Sequence, residues 1–186
     1  MMNRIERTLL VVRTALALVS ACLAGAALAD SGDTTESRVK AAYVYNFAKY
    51  IEWPGTAAQD PLRLCLPGND RLGEAFNALE GRQAQGRAIH VLNGVPLGQL
   101  ARCQIVFVGQ GDAALLAAVI RSAAESPTLV VGDVDGFIDA GGGIGLVVAD
   151  DRVQFEVNLE ALQRVKLRAS AQMLKLARNA AELRVR

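Results

Sequence analysis

Apolar residues at Val39, Tyr43, Phe47, Tyr50 and Ile51 recur at helical spacing, and Asp33 with Glu36 three residues on resembles a capping box ahead of them. Trp53-Pro54-Gly55 ends that helix. A strand over 62–66 (LRLCL) follows. It runs into Pro67-Gly68-Asn69-Asp70, a turn and then an N-cap for a helix through Leu72, Phe76 and Leu79. Further strands are predicted around 88–92, 104–108 and 128–131, and the QIVFV run at 104–108 has the unbroken apolar character of a strand covered on both faces. Between the last two, Gly111-Asp112 opens an alanine-rich helix reaching about Ala124. The final third changes to strict alternation. Residues 146–148 and 152–157 form a hairpin about Asp150-Asp151, Asn158 caps a helix, and Ser170 caps a closing helix whose Met173, Leu174 and Ala177 face inward. Strands alternating with helices predict an α/β three-layer sandwich: a mostly parallel mixed sheet flanked by helices, with a C-terminal β-hairpin and helices.

The first 29 residues follow a different logic. Arg4, Arg7 and Arg13 form a basic region, 14–28 is apolar, and Ala27-Leu28-Ala29 offers a small-x-small cleavage site, together a secretory signal peptide. No other stretch approaches the roughly 18 apolar residues of a membrane span. The remaining 30–186 make one domain. Val19-Ser20-Ala21-Cys22 also fits a lipoprotein cleavage site, but the apolar LAGAALA after Cys22 suits a continuing signal better than a tether. Processing removes three of the 20 basic and one of the 19 acidic residues, leaving 17 and 18. The near-neutral balance lacks the basic footprint of a nucleic-acid binder. Two cysteines remain, Cys65 and Cys103. In an exported domain, each beside a buried strand, they read as a disulfide, with two unpaired buried thiols as the alternative.

Catalytic chemistry finds little to build on. The single histidine, His90, lies within a predicted strand with no second histidine for a zinc site or hydrolytic triad. The glycines at 141–145 precede a strand, whereas a phosphate loop follows a strand and opens a helix, so they read as a bend that lets the backbone pass closely. Asp133, Asp135 and Asp139 lack the rest of a calcium-loop ligand series, and Asp133-Val134-Asp135-Gly136 reads as an exposed turn. Neither an enzyme nor a resident cofactor or metal is expected. Glu156 points away from Phe155 and Val157, giving either a solvated polar face or a partner contact. The aromatic segment 40–54 (KAAYVYNFAKYIEWP) is a core stripe with Tyr45, Lys49 and Glu52 left over for a dimer or partner surface.

KAAYVYNFAKYIEWP, the strand ending Leu64-Cys65, Cys103-Gln104-Ile105-Val106-Phe107, Gly142-Gly143-Ile144-Gly145, FEVNL at 155–159, and Leu167-Arg168-Ala169-Ser170 through Arg178 together resemble the YfiR family over nearly the whole processed chain. The resemblance implies a periplasmic repressor that binds the periplasmic domain of an inner-membrane diguanylate cyclase and lowers cyclic di-GMP and biofilm formation. It also implies a homodimer, an outer-membrane lipoprotein as a releasing partner, and an α/β sandwich fold. Cys65 and Cys103 match the family's main disulfide. The second cysteine pair of some relatives has no counterpart in 137–145. The family's partner-facing surface, carried over, points to Ile144, Glu156 and Leu162. The competing expectation is a periplasmic small-molecule-binding accessory sensor for a histidine kinase or uptake receptor, with the 133–144 loop lining a crevice at the strand ends.

Overall fold

A computed structural model describes residues 30–55, 60–68 and 72–183. The expected signal peptide and Cys22 lie outside them, as do Asn69 and Asp70 with their expected N-cap. A compact unit spans Glu36–Arg186. Among the described residues nine strands form two sheets. β1 (Ile51–Glu52) pairs only with β9 (Arg168–Ala169). The other seven, β2 (Leu62–Leu66), β3 (Gln83–Ala84), β4 (Arg87–Asn93), β5 (Ile105–Val108), β6 (Leu129–Gly132), β7 (Ile144–Ala149) and β8 (Arg152–Val157), lie in the order β3-β4-β2-β5-β6-β7-β8. The five central strands, β4 to β7 across the sheet, are parallel, and the outer pairs β3-β4 and β7-β8 are antiparallel. The predicted mixed, mostly parallel sheet is therefore present.

Alternation along each central strand distributes side chains between two cores. Leu62, Leu64, Leu66, Ile105, Phe107, Leu129 and Val131 enter one, with Ala41, Val44, Phe47 and Ala48 of α1 (Asp30–Tyr50) and Phe76 of α2 (Gly73–Asn77). Leu162 of α4 (Leu159–Arg164) and Met173 of α5 (Ala171–Leu174) join the same core. Cys65, Val106, Val108 and Val130 enter the other, with Leu100 and with Leu116, Val119 and Ala123 of α3 (Leu116–Ala123). Helices cover both faces, which is why β5 carries no polar residue. Cys65 and Cys103 are joined as a disulfide within the second core.

Several local details differ from the sequence expectation. The first helix runs through Asp33 instead of starting there. Its buried stripe is Ser37, Lys40, Ala41, Val44, Phe47 and Ala48, continued by Ile51 of β1, while Val39 is exposed. The stripe is rotated because small Ala41 and Ala48 admit the sheet closely, and because Lys40 has partners in the interior. Tyr45 is not a free surface residue: its hydroxyl donates to Gln83 O at 2.9 Å and Arg82 stacks 4.3 Å from its ring centroid. The alanine-rich helix begins as a 3-10 turn over Gln110–Leu115. The closing helix is two four-residue pieces, α5 and α6 (Ala180–Leu183), interrupted where Arg178 and Asn179 bond to β8. Both expected caps are present: Asn158 Oδ1 accepts from Ala161 N at 3.0 Å and Ser170 Oγ from Met173 N at 3.2 Å. The hairpin turn places Asp150 and Asp151 at φ 51° and 56°, a left-handed pair that matches strand twist and that aspartate tolerates.

The main correction concerns Asp133. Its carboxylate is not on an exposed turn; the side chain is 5% exposed and its Oδ2 lies 2.5 Å from Lys40 Nζ. Lys40 also meets Glu36 Oε1 at 2.6 Å, and Asp133 Oδ1 accepts from Gln110 N at 2.7 Å. Burial pushes the Lys40 pKa down, but the hydrogen bonds to Asp133 and Glu36 outweigh it and the net displacement is upward.

Two outcomes follow from these buried links. Replacing Cys65 and Cys103, which are 38 positions apart in the chain, by serine should cost up to about 4 kcal/mol in a urea titration, since the open loop restores unfolded-state entropy. Lys40→Met leaves Asp133 buried and should cost about 3–5 kcal/mol, and Lys40→Met/Asp133→Val should cost less than the sum of its singles. Because the native Lys40 pKa is raised, its contribution is complete below the unfolded-lysine value of about 10.4 and lost as pH climbs through the native one. The wild-type protein should therefore show an alkaline loss of stability that Lys40→Met lacks.

Candidate functional site

The segment from Asp133 to β7 wraps around one aromatic ring. Phe137 is 3% exposed, and a Cβ at Gly142 would fall 2.1 Å from its ring, one at Gly132 2.4 Å. Only glycine at these points lets the chain close over Phe137. The glycine cluster is thus the close-passage bend expected from the sequence. Its amides serve the fold: Gly142 N donates to Phe137 O at 3.0 Å and Gly143 N to Val130 O at 3.1 Å.

That wrapping leaves a cleft of about 170 Å³ between the 134–139 loop and the hairpin, lined by Phe137, Ile138, Asp139, Val147, Glu156 and Asn179, among others. A neighbouring cleft of about 280 Å³ shares Ile138, Asp139 and Asn179 and extends to Leu159 and Glu160. The 133–144 loop does line a crevice, as the sequence anticipated. Asn158 fixes its floor with three bonds. Besides capping α4, its Nδ2 donates to Ile138 O at 3.2 Å and its backbone N to Gly143 O at 2.9 Å.

Glu156 stands on the wall of the first cleft, where its Oε1 accepts from Arg178 at 2.9 Å; the two side chains are 27% and 51% exposed. Asp139 and Glu182 on the rim are exposed. The surface is therefore acidic, suited to cationic or hydrogen-bond-donating groups. Ile144 and Leu162, the other two residues expected to contact a partner, are 0% and 2% exposed. Both belong to the first core, Ile144 where β7 opens beside Val131 of β6 and Leu162 on α4. Neither lines either cleft, and among the three only Glu156 offers its side chain to the surface.

His90 is half exposed, with Nδ1 3.4 Å from Glu80 Oε1. Among the described residues no group of histidines, cysteines or acids is arranged to hold a metal. Also among them, no helix is long and apolar enough to cross a membrane. Two contributors escaped the sequence reading. Asn179 receives Val157 N at 3.1 Å on Oδ1 and donates Nδ2 to Val157 O at 3.0 Å, and nothing around it in sequence marks that role. Lys40 carries a weak signal, since it falls in phase with Ser37, Ala41 and Val44.

Residues 37–178 match the sequence profile of a family described as YfiR/HmsC-like. A crystal structure of a conserved domain protein from Vibrio cholerae is similar at a TM-score of 0.52 with 9% identity; the match covers 74% of this chain and 58% of that one. At that identity the likeness establishes the fold alone.

The glycine packing is open to direct test. Gly142→Ala drives a methyl into the Phe137 ring and should destabilise by about 1–3 kcal/mol, read as a lowered urea midpoint, with part of the loss recovered in Phe137→Leu/Gly142→Ala.

Proposed function

The chain belongs to the YfiR/HmsC-like family, and from that premise we propose that it is a periplasmic regulatory protein repressing an inner-membrane diguanylate cyclase. It binds the cyclase's periplasmic sensor domain and so lowers cyclic di-GMP and biofilm formation. The observation that carries this reading is the extent of the profile match, which takes in α1 from Ser37 on, both disulfide cysteines, the hairpin and the segment through Arg178. The acidic cleft at Glu156 supplies a surface for recognition.

The mechanism is a population shift. A repressor silences an enzyme only by binding the inactive conformation more tightly than the active one, and a swing from 1:99 to 99:1 needs about a 10⁴-fold preference. Such a preference needs a rigid template. Phe137 packing, the three bonds of Asn158 and the Cys65–Cys103 bridge provide one. An outer-membrane lipoprotein would release the cyclase by competing for this chain, and a homodimer would present two such surfaces.

The clefts favour one further reading, a small-molecule-binding accessory sensor for a histidine kinase or uptake receptor. A kinase or receptor gene beside this one, in place of a membrane cyclase, distinguishes the two.

Deleting the gene in a strain encoding a neighbouring membrane cyclase should raise cyclic di-GMP several-fold, as measured by mass spectrometry of cell extracts. Wild-type protein should reverse the rise. Glu156→Lys, folded by circular dichroism, should leave at least half of it. No rise on deletion sinks the proposal.

A further inference from the structure

Asn93 is the last residue of β4 and stands exposed at its end, and the residue after it is Gly94. Gly94 turns the chain with φ 64°, and no atom lies within 4 Å of where its Cβ would be. Its N–H has left the sheet ladder: the next amide, Val95 N, is the one that reaches Leu66 O, at 3.1 Å. Among the described residues no group of the chain accepts from Gly94 N. The Asn93 side chain is tethered through Nδ2, which donates to Asn77 Oδ1 at 3.0 Å.

A main-chain amide can attack a neighbouring side-chain amide only if it is free of its own hydrogen bond and unshielded by a side chain. Gly94 meets both conditions, since glycine has no Cβ. The other asparagines of the described residues do not. Asn46, Asn77, Asn158 and Asn179 precede Phe47, Ala78, Leu159 and Ala180, whose side chains crowd the approach. Asn46 also lies inside α1, and the amides of Asn158 and Asn179 are bonded at both Oδ1 and Nδ2.

We propose that Asn93-Gly94 is a self-modifying site. Gly94 N loses its proton to solvent and bonds to Asn93 Cγ, the side-chain nitrogen departs as ammonia, and water reopens the resulting succinimide. Opening at one carbonyl gives aspartate and at the other isoaspartate; the net change converts an amide and a water into a carboxylate and an ammonium ion. Either product sets an anion against Asn77 Oδ1, so the Asn77 amide must turn over to donate. Isoaspartate does more. It adds a carbon to the main chain just ahead of Val95, whose amide closes on Leu66 O and whose side chain shares the core of Cys65, Leu100 and Cys103. The bridged core therefore loosens as the isoaspartate form accumulates, while the aspartate form keeps the backbone intact. This site is independent of the cyclase reading.

Peptide mapping by mass spectrometry of protein comprising residues 30–186, aged in mildly alkaline buffer, tests it. Conversion of amide to acid should appear at Asn93 at least ten-fold faster than at Asn46, Asn77, Asn158 or Asn179, with isoaspartate among the products. Because the fold leaves Gly94 N unbonded, Asn93 should convert in the folded chain within ten-fold of its rate in concentrated urea. Gly94→Ala should slow it at least five-fold. Conversion no faster than at Asn77, protection by folding of more than ten-fold, or a Gly94→Ala rate equal to wild type overturns the proposal. The isoaspartate fraction should also unfold at a lower urea midpoint than freshly prepared Asn93→Asp, which carries the charge alone. Equal midpoints, or conversion without isoaspartate, overturn the link to the Val95 core.

Discussion

Lys40 is the charge on which much of the architecture turns. It lies in the buried stripe of α1, where an ammonium is tolerated only if paired and hydrogen-bonded. Its partner, Asp133, follows the last residue of β6 and also accepts from the amide of Gln110 after β5. One carboxylate thereby joins the first helix to the ends of two central strands. The direction in which the chain leaves β6 is set at this point, and with it the start of the segment that wraps Phe137. Replacing the pair with apolar residues could preserve stability, so its value is better understood as specificity: it fixes the helix in one rotation and one axial position against the sheet.

From there the site follows by packing. The chain can close over Phe137 because Gly132 and Gly142 present no side chain to the ring. The closure leaves clefts on its outer side, and Asn158 ties the hairpin's end to the loop at Ile138 and Gly143. Two cores, one on each face of the sheet, hold this frame rigid, and the Cys65–Cys103 bridge lies in the core opposite α1.

The sequence revealed what periodicity and local chemistry can carry. Unbroken apolar runs at β5 and β6 announced strands buried on both faces, alternation at 152–157 announced the hairpin, and Asn158 and Ser170 announced their helices by type and position. Long-range pairing left less trace. Asp133 resembled any turn aspartate, because its partner lies 93 residues earlier in the chain. Ile144 and Leu162 looked like surface contacts when carried over from a family pattern, but their depth depends on how β7 and α4 stack. The short strands β1, β3 and β9 are two residues each, below the length at which alternation can be recognised. Asn179 bonds β8 through its side chain, which no local pattern encodes.

The central claim is that this chain binds an inactive cyclase in preference to an active one. Titrating purified protein comprising residues 30–186 into the full-length membrane cyclase in lipid nanodiscs, while following cyclic di-GMP synthesis, tests that most directly. The account predicts a saturable fall in synthesis that Glu156→Lys weakens at least ten-fold. Synthesis unaffected by saturating protein, or affected equally by both forms, would contradict it.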